Sequence, residues 1–252
     1  MSEEFTEPVV VLHVGLFREA DCWVRLLSPS KGVVTGFAFG GMRSRRRFCG
    51  CLDAVSKVQF RFQRSKRGEY LTLCEGALLD RFTGVRQRPG RLGMAVNCLK
   101  FVEAVQLGEH GAPEIFALLT QTLQLLDETP ALEPVVPLFF RARVAFEHGY
   151  QPELDQCLLC GCDLEPGRNA SFVLERGGLV CEACQGRAPG PLAALERGQW
   201  ELLRRVLLAP PEQWPVFPER ADQVVQATAR LLDQYVQYHL GVQWDGNRFV
   251  RS

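Results

Sequence analysis

Two closely spaced pairs of cysteines, Cys157-Leu-Leu-Cys160 and Cys181-Glu-Ala-Cys184, constrain this chain more than any other feature. Two intervening residues let one tight turn direct both thiols of a pair at a common point, and Gly161 supplies the backbone freedom that such a turn needs. The 20-residue spacer contains Gly177-Gly178 between two apolar runs, which is typical of a β-hairpin. The spacing therefore predicts a tetrahedral zinc site to which each pair supplies two ligands. The predicted ligands are Cys157, Cys160, Cys181 and Cys184.

Other chemistries of the same sulfurs remain open. The alternatives are two disulfides, a rubredoxin-like iron site, and redox catalysis by one pair. Cys162 lies two residues beyond the first pair and competes as a ligand, but we interpret it as a bystander. Because a closed site of four sulfurs leaves no coordination position for water, we expect zinc to be structural and not catalytic.

Charge is unevenly distributed along the 252 residues, although the formal net charge is zero. Residues 1–100 carry 17 Lys and Arg against 9 Asp and Glu, a net charge of +8, whereas residues 101–252 carry 12 against 20, a net charge of −8. A basic front half indicates a polyanion partner. The alternative is a fold in which the two halves attract each other.

The sequence shows no signal peptide and no apolar run of about 18 residues, so we expect a cytoplasmic protein without a membrane span.

The first 80 residues have the pattern of short strands, the first of which we expect to be interrupted by Gly15. From residue 57 to 63, Val58, Phe60 and Phe62 alternate with polar residues, as in a strand with one buried face. Five such strands without room for crossover helices favour a small antiparallel barrel. From about residue 92 the apolar spacing becomes helical, and it predicts helices before and after the cysteine segment.

The positive charge of the front half lies in the predicted loops of the barrel, where it suits contacts with phosphates. The predicted DNA-binding residues are Lys31, Arg43, Arg45, Arg46, Arg47, Arg64, Lys66 and Arg67. Phe48, Phe60 and Phe62 are candidates for stacking on bases, but the alternation predicts that Phe60 and Phe62 belong to the core.

The sequence lacks the common nucleotide-binding and hydrolase motifs, which favours a binding protein over an enzyme. Two other functions remain open. One is a zinc-containing nucleic-acid enzyme such as a nuclease, and the other is a protein scaffold whose basic loops bind an acidic partner.

The order of motifs resembles the RecO family of bacterial recombination mediators. The resemblance rests on Ser28-Pro-Ser-Lys-Gly32, on Gly41-Met-Arg43-Ser-Arg45-Arg46, on the stretch from His148-Gly149-Tyr150 through both cysteine pairs, and on the helix ending at Gly241. It spans nearly the whole chain, and the cysteine segment is its most specific part.

The resemblance implies an α+β multidomain protein. Its parts would be an OB-fold β-barrel over residues 1–80, an α-helical domain over 81–150 and 186–252, and an inserted four-cysteine zinc module over 151–185. It implies binding of single- and double-stranded DNA, annealing of complementary strands and help in loading RecA, in the cytoplasm and associated with the nucleoid. The implied partners are RecR and the single-stranded-DNA-binding protein SSB, whose acidic tail would contact Arg141 and Arg143.

Overall fold

Five strands form the front of the chain in a computed structural model that describes residues 4–65, 70–129, 134–214 and 222–251. These strands are β1 (Glu4–Leu16), β2 (Cys22–Ser28), β3 (Gly32–Ala38), β4 (Ser56–Arg64) and β5 (Leu71–Asp80). They pair in the order β1-β2-β3-β5-β4, and β4 pairs in turn with β1, so the sheet closes into a barrel. All pairs are antiparallel except β3 with β5, which is parallel. This is the predicted OB-fold type of barrel.

The predicted alternation of β4 is confirmed. Val58, Phe60 and Phe62 are fully buried inside the barrel, while the residues between them face outward. Burying each large side chain of this core contributes roughly 1.5–3 kcal/mol. The core residues are Val9, Val11, Cys22, Val24, Leu26, Ala38, Phe48, Cys51, Val58, Phe60, Phe62 and Leu73.

The predicted end of the first strand was wrong. We expected Gly15 to interrupt the first strand, but β1 continues to Leu16 and pairs with β2 up to Cys22. The glycine is required by packing instead, because a Cβ atom at this position would overlap the indole of Trp23, its partner in the ladder.

Three helices follow the barrel: α1 (Thr83–Arg86), α2 (Pro89–Val105) and α3 (Ala112–Glu128). Arg86 joins α1 to the barrel. Its guanidinium donates hydrogen bonds to the carbonyl oxygens of Ala54 and Val55 and to the hydroxyl of Ser56, and it forms an ion pair with Asp53 at 2.9 Å. Val55 has a φ of +57°, a strained conformation for a β-branched residue, and Arg86 helps to hold it there.

Arg91 lies at the start of α2 and is buried. It donates hydrogen bonds to the carbonyl oxygens of Leu126, Asp127 and Thr129 at the end of α3. Helices leave their last carbonyl groups without intrahelical donors, so one guanidinium satisfies several of these acceptors at once.

The second part of the chain contains α4 (Val136–Glu147), α5 (Arg197–Leu208) and α6 (Asp222–Leu240). Between α4 and α5 lies a four-stranded sheet of β6 (Glu153–Cys157), β7 (Ala170–Val173), β8 (Gly178–Cys181) and β9 (Leu192–Ala194), in the order β6-β8-β7-β9. The predicted hairpin is confirmed as β7 and β8, which join at Gly177. A final hairpin of β10 (Val242–Trp244) and β11 (Phe249–Arg251) was not predicted.

Helices α5 and α6 support this sheet. The indole of Trp200 on α5 is buried and donates to the carbonyl oxygen of Leu154 on β6 at 3.1 Å. On α6, the hydroxyl of Tyr235 donates to the carbonyl oxygen of Tyr150 at 2.7 Å, and its ring lies 5.7 Å from that of Phe172 on β7. Anchors from two helices therefore fix the positions of β6 and β7.

By internal contacts the chain divides into two units, residues 1–130 and 131–252. Helices α2 and α3 fall with the barrel in this division, whereas we assigned them to the same domain as the C-terminal helices. The three-part division into 1–80, 81–150 with 186–252, and 151–185 stays a prediction. Within the described residues, no helix combines the length and the apolar character needed to cross a membrane.

We predict that Arg91→Met lowers the free energy of unfolding of the first unit by about 2–4 kcal/mol, because buried carbonyl groups at the end of α3 lose their donor. Chemical denaturation followed by circular dichroism measures this. The control is Arg88→Met, since Arg88 is exposed at the start of the same helix. Equal destabilisation by the two substitutions would contradict the role of Arg91.

Candidate nucleic-acid interface and metal centre

The basic loop, residues 40–48, connects β3 to the segment before β4 and is held at both ends. At its start, the backbone N–H of Gly40 donates to Asp21 at 2.7 Å, and that of Met42 donates to Ala20 at 3.1 Å. At its end, the carbonyl oxygen of Arg47 accepts from the N–H of Gly76 on β5 at 2.7 Å. The arginines between these anchors therefore have a defined position on the barrel.

The four arginines of the basic loop differ in their ion-pair and hydrogen-bond partners. Arg43 forms an exposed ion pair with Glu19 at 2.9 Å, and Arg47 donates to the carbonyl oxygen of Phe39 at 2.8 Å. Arg45 and Arg46 are exposed and make no ion pair or hydrogen bond with side chains in the part of the chain that the structure describes. Among residues 4–65, 70–129, 134–214 and 222–251, no carboxylate therefore competes with an anionic ligand for these two guanidinium groups.

A second cationic surface lies beside β3. A groove of about 330 Å³ brings together Lys31 and Arg64, which we predicted, with Arg25, which we did not. Arg25 projects from β2 and donates to the hydroxyl of Thr35 at 2.8 Å, and Glu109 also lines the groove. Arg25 was missed because an isolated arginine in an alternating strand has no local sequence signal. The predicted contacts Lys66 and Arg67 lie outside the described residues.

The aromatic candidates for base stacking are buried. Phe60 and Phe62 are fully buried and Phe48 is 3% exposed, so none of the three rings presents a free face to a ligand. The core assignment of Phe60 and Phe62 is confirmed, and Phe48 belongs to the same core.

Five cysteines gather where the ends of β6 and β8 meet. The sulfur atoms of Cys157, Cys160, Cys162 and Cys181 all lie within 4.8 Å of one another, and those of Cys160 and Cys181 are 3.8 Å apart. Four sulfurs bound tetrahedrally to zinc at about 2.3 Å would be about 3.8 Å apart. The residues present therefore fit a thiolate metal site.

The backbone of the first turn supports the thiolate form of Cys157. Gly161, at a φ of +70°, donates its N–H to the carbonyl oxygen of Cys157 at 2.9 Å and closes the turn. Burial raises the pKa of Cys157, but N–H groups of Cys181, Cys160 and Leu159 directed at its sulfur outweigh burial and lower the pKa to about 6. Thiolates are the form that binds metal.

The geometry of the cluster and the spacing of the cysteines indicate different residues as the fourth ligand. Spacing predicts Cys184, whereas the mutually close sulfurs include Cys162. Cys184 is buried, and its sulfur accepts a hydrogen bond from Arg187 at 3.2 Å. Cys162 is exposed, and its carbonyl oxygen accepts from the N–H of Cys157. The thiol of Cys184 also interacts with those of Cys181, Cys160 and Cys157, so both candidates lie at the cluster that these three cysteines form.

The two arginines predicted for the SSB tail, Arg141 and Arg143, lie on α4. The side chains are only 14% and 17% exposed. Arg141 pairs with Asp233 at 3.1 Å, and Arg143 pairs with Glu147 at 3.0 Å and donates to carbonyl oxygens at the end of α5. Each guanidinium thus has partners within its own unit.

Comparison with known proteins finds family matches for both parts of the chain. Residues 1–82 match the family description "Recombination protein O N terminal" and residues 86–248 match "Recombination protein O C terminal". The protein named DNA repair protein RecO from Oleidesulfovibrio alaskensis is 42% identical over 98% of this chain and 99% of its own length. The protein of the same name from Solidesulfovibrio magneticus is also 42% identical, over 99% of this chain and 100% of its own length. The RecO protein of Myxococcus xanthus is 30% identical over 95% of this chain and 93% of its own. The chain therefore belongs to the RecO family of DNA repair proteins.

Proposed function

We propose that this protein is a non-enzymatic recombination mediator. It binds single- and double-stranded DNA, anneals complementary strands, and with RecR assists the loading of RecA onto strands coated by SSB. The observation that carries this proposal is the exposed pair Arg45 and Arg46, which lacks ion-pair partners among the described residues and lies on a loop anchored to the barrel.

Annealing follows from charge. Two complementary strands repel each other through their phosphates, and guanidinium groups that neutralise some of these charges reduce the repulsion while they hold the strands near one another. Arg45 and Arg46 supply this charge on the basic loop, and Arg25, Lys31 and Arg64 supply it in the groove. Contacts with phosphates carry little sequence information, so the activity is general for DNA sequence.

The metal centre is proposed to be a structural zinc site held by Cys157, Cys160, Cys181 and Cys184. When bound, zinc would supply a rigid link between the two cysteine turns and no open coordination position. The cysteines then hold the end of β6 beside the end of β8, where these strands already pair. In small zinc fingers such sites contribute on the order of 10–16 kcal/mol of apparent binding energy.

The acidic tail of SSB is proposed to contact Arg141 and Arg143. Because both side chains already have carboxylate partners, the carboxylates of a tail would take the places of Asp233 and Glu147 rather than meet unpaired cations. The side chain of Asp233 is 65% exposed, so its carboxylate returns to water when a carboxylate of the tail replaces it at Arg141.

We predict that Arg45→Glu combined with Arg46→Glu weakens DNA binding about ten-fold or more and abolishes annealing of SSB-coated oligonucleotides, measured without nucleotide. For single strands, the slope of the logarithm of the binding constant against the logarithm of the salt concentration should become shallower by about 0.7 for each phosphate contact removed. Arg168→Glu with Arg176→Glu, two exposed residues of the second unit, changes the net charge equally and should retain annealing. Equal losses in both double variants, or cleavage of DNA by the wild-type protein, would contradict the proposal.

We predict that Cys157→Ser abolishes metal binding because it removes a ligand common to both candidate sets. Cys162→Ser should bind normally, Cys184→Ser should bind more weakly because Cys162 replaces the missing sulfur, and the double variant should not bind. Cobalt substitution reports this through the sulfur-to-cobalt charge-transfer absorbance. Loss of the absorbance in Cys162→Ser alone would assign Cys162 as a primary ligand and contradict the proposed set.

A further inference from the structure

An exposed aromatic patch lies on the outer surface of the barrel, apart from the buried rings of its core. It consists of Phe17, Phe37, Phe39 and Tyr70, which come from the end of β1, from β3 and its end, and from the residue before β5. Phe17, Phe39 and Tyr70 are 40%, 39% and 40% exposed. Three large aromatic side chains exposed in one place are unusual for a surface that only faces water.

Contacts between the rings make the patch a fixed surface. Phe37 is the central ring: it meets Phe17 edge-on at 5.7 Å and Tyr70 at 5.5 Å, and it stacks on Phe39 with an interplanar angle of 18°. Phe39 also contacts Phe17 and Tyr70 at 6.2 and 6.3 Å. Since each exposed ring is held by at least two neighbouring rings, little side-chain entropy remains to be lost when a flat ligand binds.

Positive charge surrounds the patch. The guanidinium of Arg18 lies 5.7 Å from the ring of Phe17, and that of Arg47 bonds to the carbonyl oxygen of Phe39. Tyr70 also lines the groove that contains Arg25 and Arg64, so the patch and the groove share a wall. Flat apolar surfaces bordered by cations complement a chain that alternates planar bases with phosphates.

We propose that unpaired bases of single-stranded DNA stack on Phe39 and Tyr70, while the adjacent groove and basic loop hold the phosphates. This inference rests on the proposed function and adds strand selectivity to it. In a duplex the bases stack on one another and present no free face, whereas every unpaired base has one. The aromatic patch therefore adds affinity for single strands only, and the cations bind both forms.

The decisive experiment compares three ligands of equal length and phosphate number on the full-length protein: a single strand, the same strand with several abasic positions, and the duplex. The wild-type protein should bind the ordinary strand about a hundred-fold more tightly than the abasic strand, since two stacked bases are lost and each is worth about ten-fold. Phe39→Ala and Tyr70→Ala should each lose about ten-fold for the ordinary strand, and should bind the duplex and the abasic strand as the wild type does.

Three variants control the interpretation. Tyr70→Phe should retain selectivity because the ring remains, and Leu79→Ala, at an exposed apolar position of β5, should change nothing. Arg45→Glu with Arg46→Glu should weaken all three ligands. Circular dichroism checks the fold of each variant, and the abasic comparison needs no variant at all.

The outcomes separate this inference from the function on which it rests. If the wild-type protein binds all three ligands equally, bases do not stack on the aromatic patch, although DNA binding stands. If Phe39→Ala weakens duplex and single strand alike, selectivity by stacking is overturned. If no ligand binds at low salt, the proposed function itself fails.

Discussion

The pairing of β1 with two neighbours is the constraint on which the first unit depends. Its first half pairs with β4 from Glu4 to Val11, and its second half pairs with β2 from Val10 to Leu16. A register shift between Val11 and His13 lets one strand of 13 residues bend between these partners and close the barrel. Closure removes the sheet edges and commits alternate side chains to the core or to the outer surface.

The surfaces proposed to bind DNA depend on this closure. The turn after β1 presents Phe17 beside Phe37 and holds the start of the basic loop through Asp21 and Ala20. The parallel pairing of β3 with β5 places Tyr70 next to the rings of β3. Cations and aromatic rings that are distant in sequence thus meet on one unit, and a chain of bases and phosphates needs both.

Much of this arrangement could be predicted from the sequence. The alternation of Phe60 and Phe62 with polar neighbours is a local signal with a period of two, and the cysteine pairs encode their turns within four residues. Positive charge was less informative, because counting it does not reveal its partners. Arg86 and Arg91 contributed to the basic balance of the front half, yet they bind carbonyl groups of the barrel and of α3.

What the sequence could not show depends on contacts made in three dimensions. The aromatic patch joins residues from three separate segments, and its central contact, Phe37 with Tyr70, spans 33 positions of the chain. The position of Cys162 at the metal cluster depends on how the backbone returns after Gly161, which the spacing alone does not specify. The interruption predicted at Gly15 was wrong because the residue that requires this glycine, Trp23, lies on the neighbouring strand.

The central claim is that DNA lies on the outer surface of the barrel and its basic loop. Hydrogen exchange of backbone amides, measured with and without a saturating single-stranded oligonucleotide, tests it most directly. The account predicts slower exchange in residues 40–48 and around Phe17 and Tyr70. Slower exchange confined to residues 134–251 would contradict it, because the DNA would then be held by the second unit.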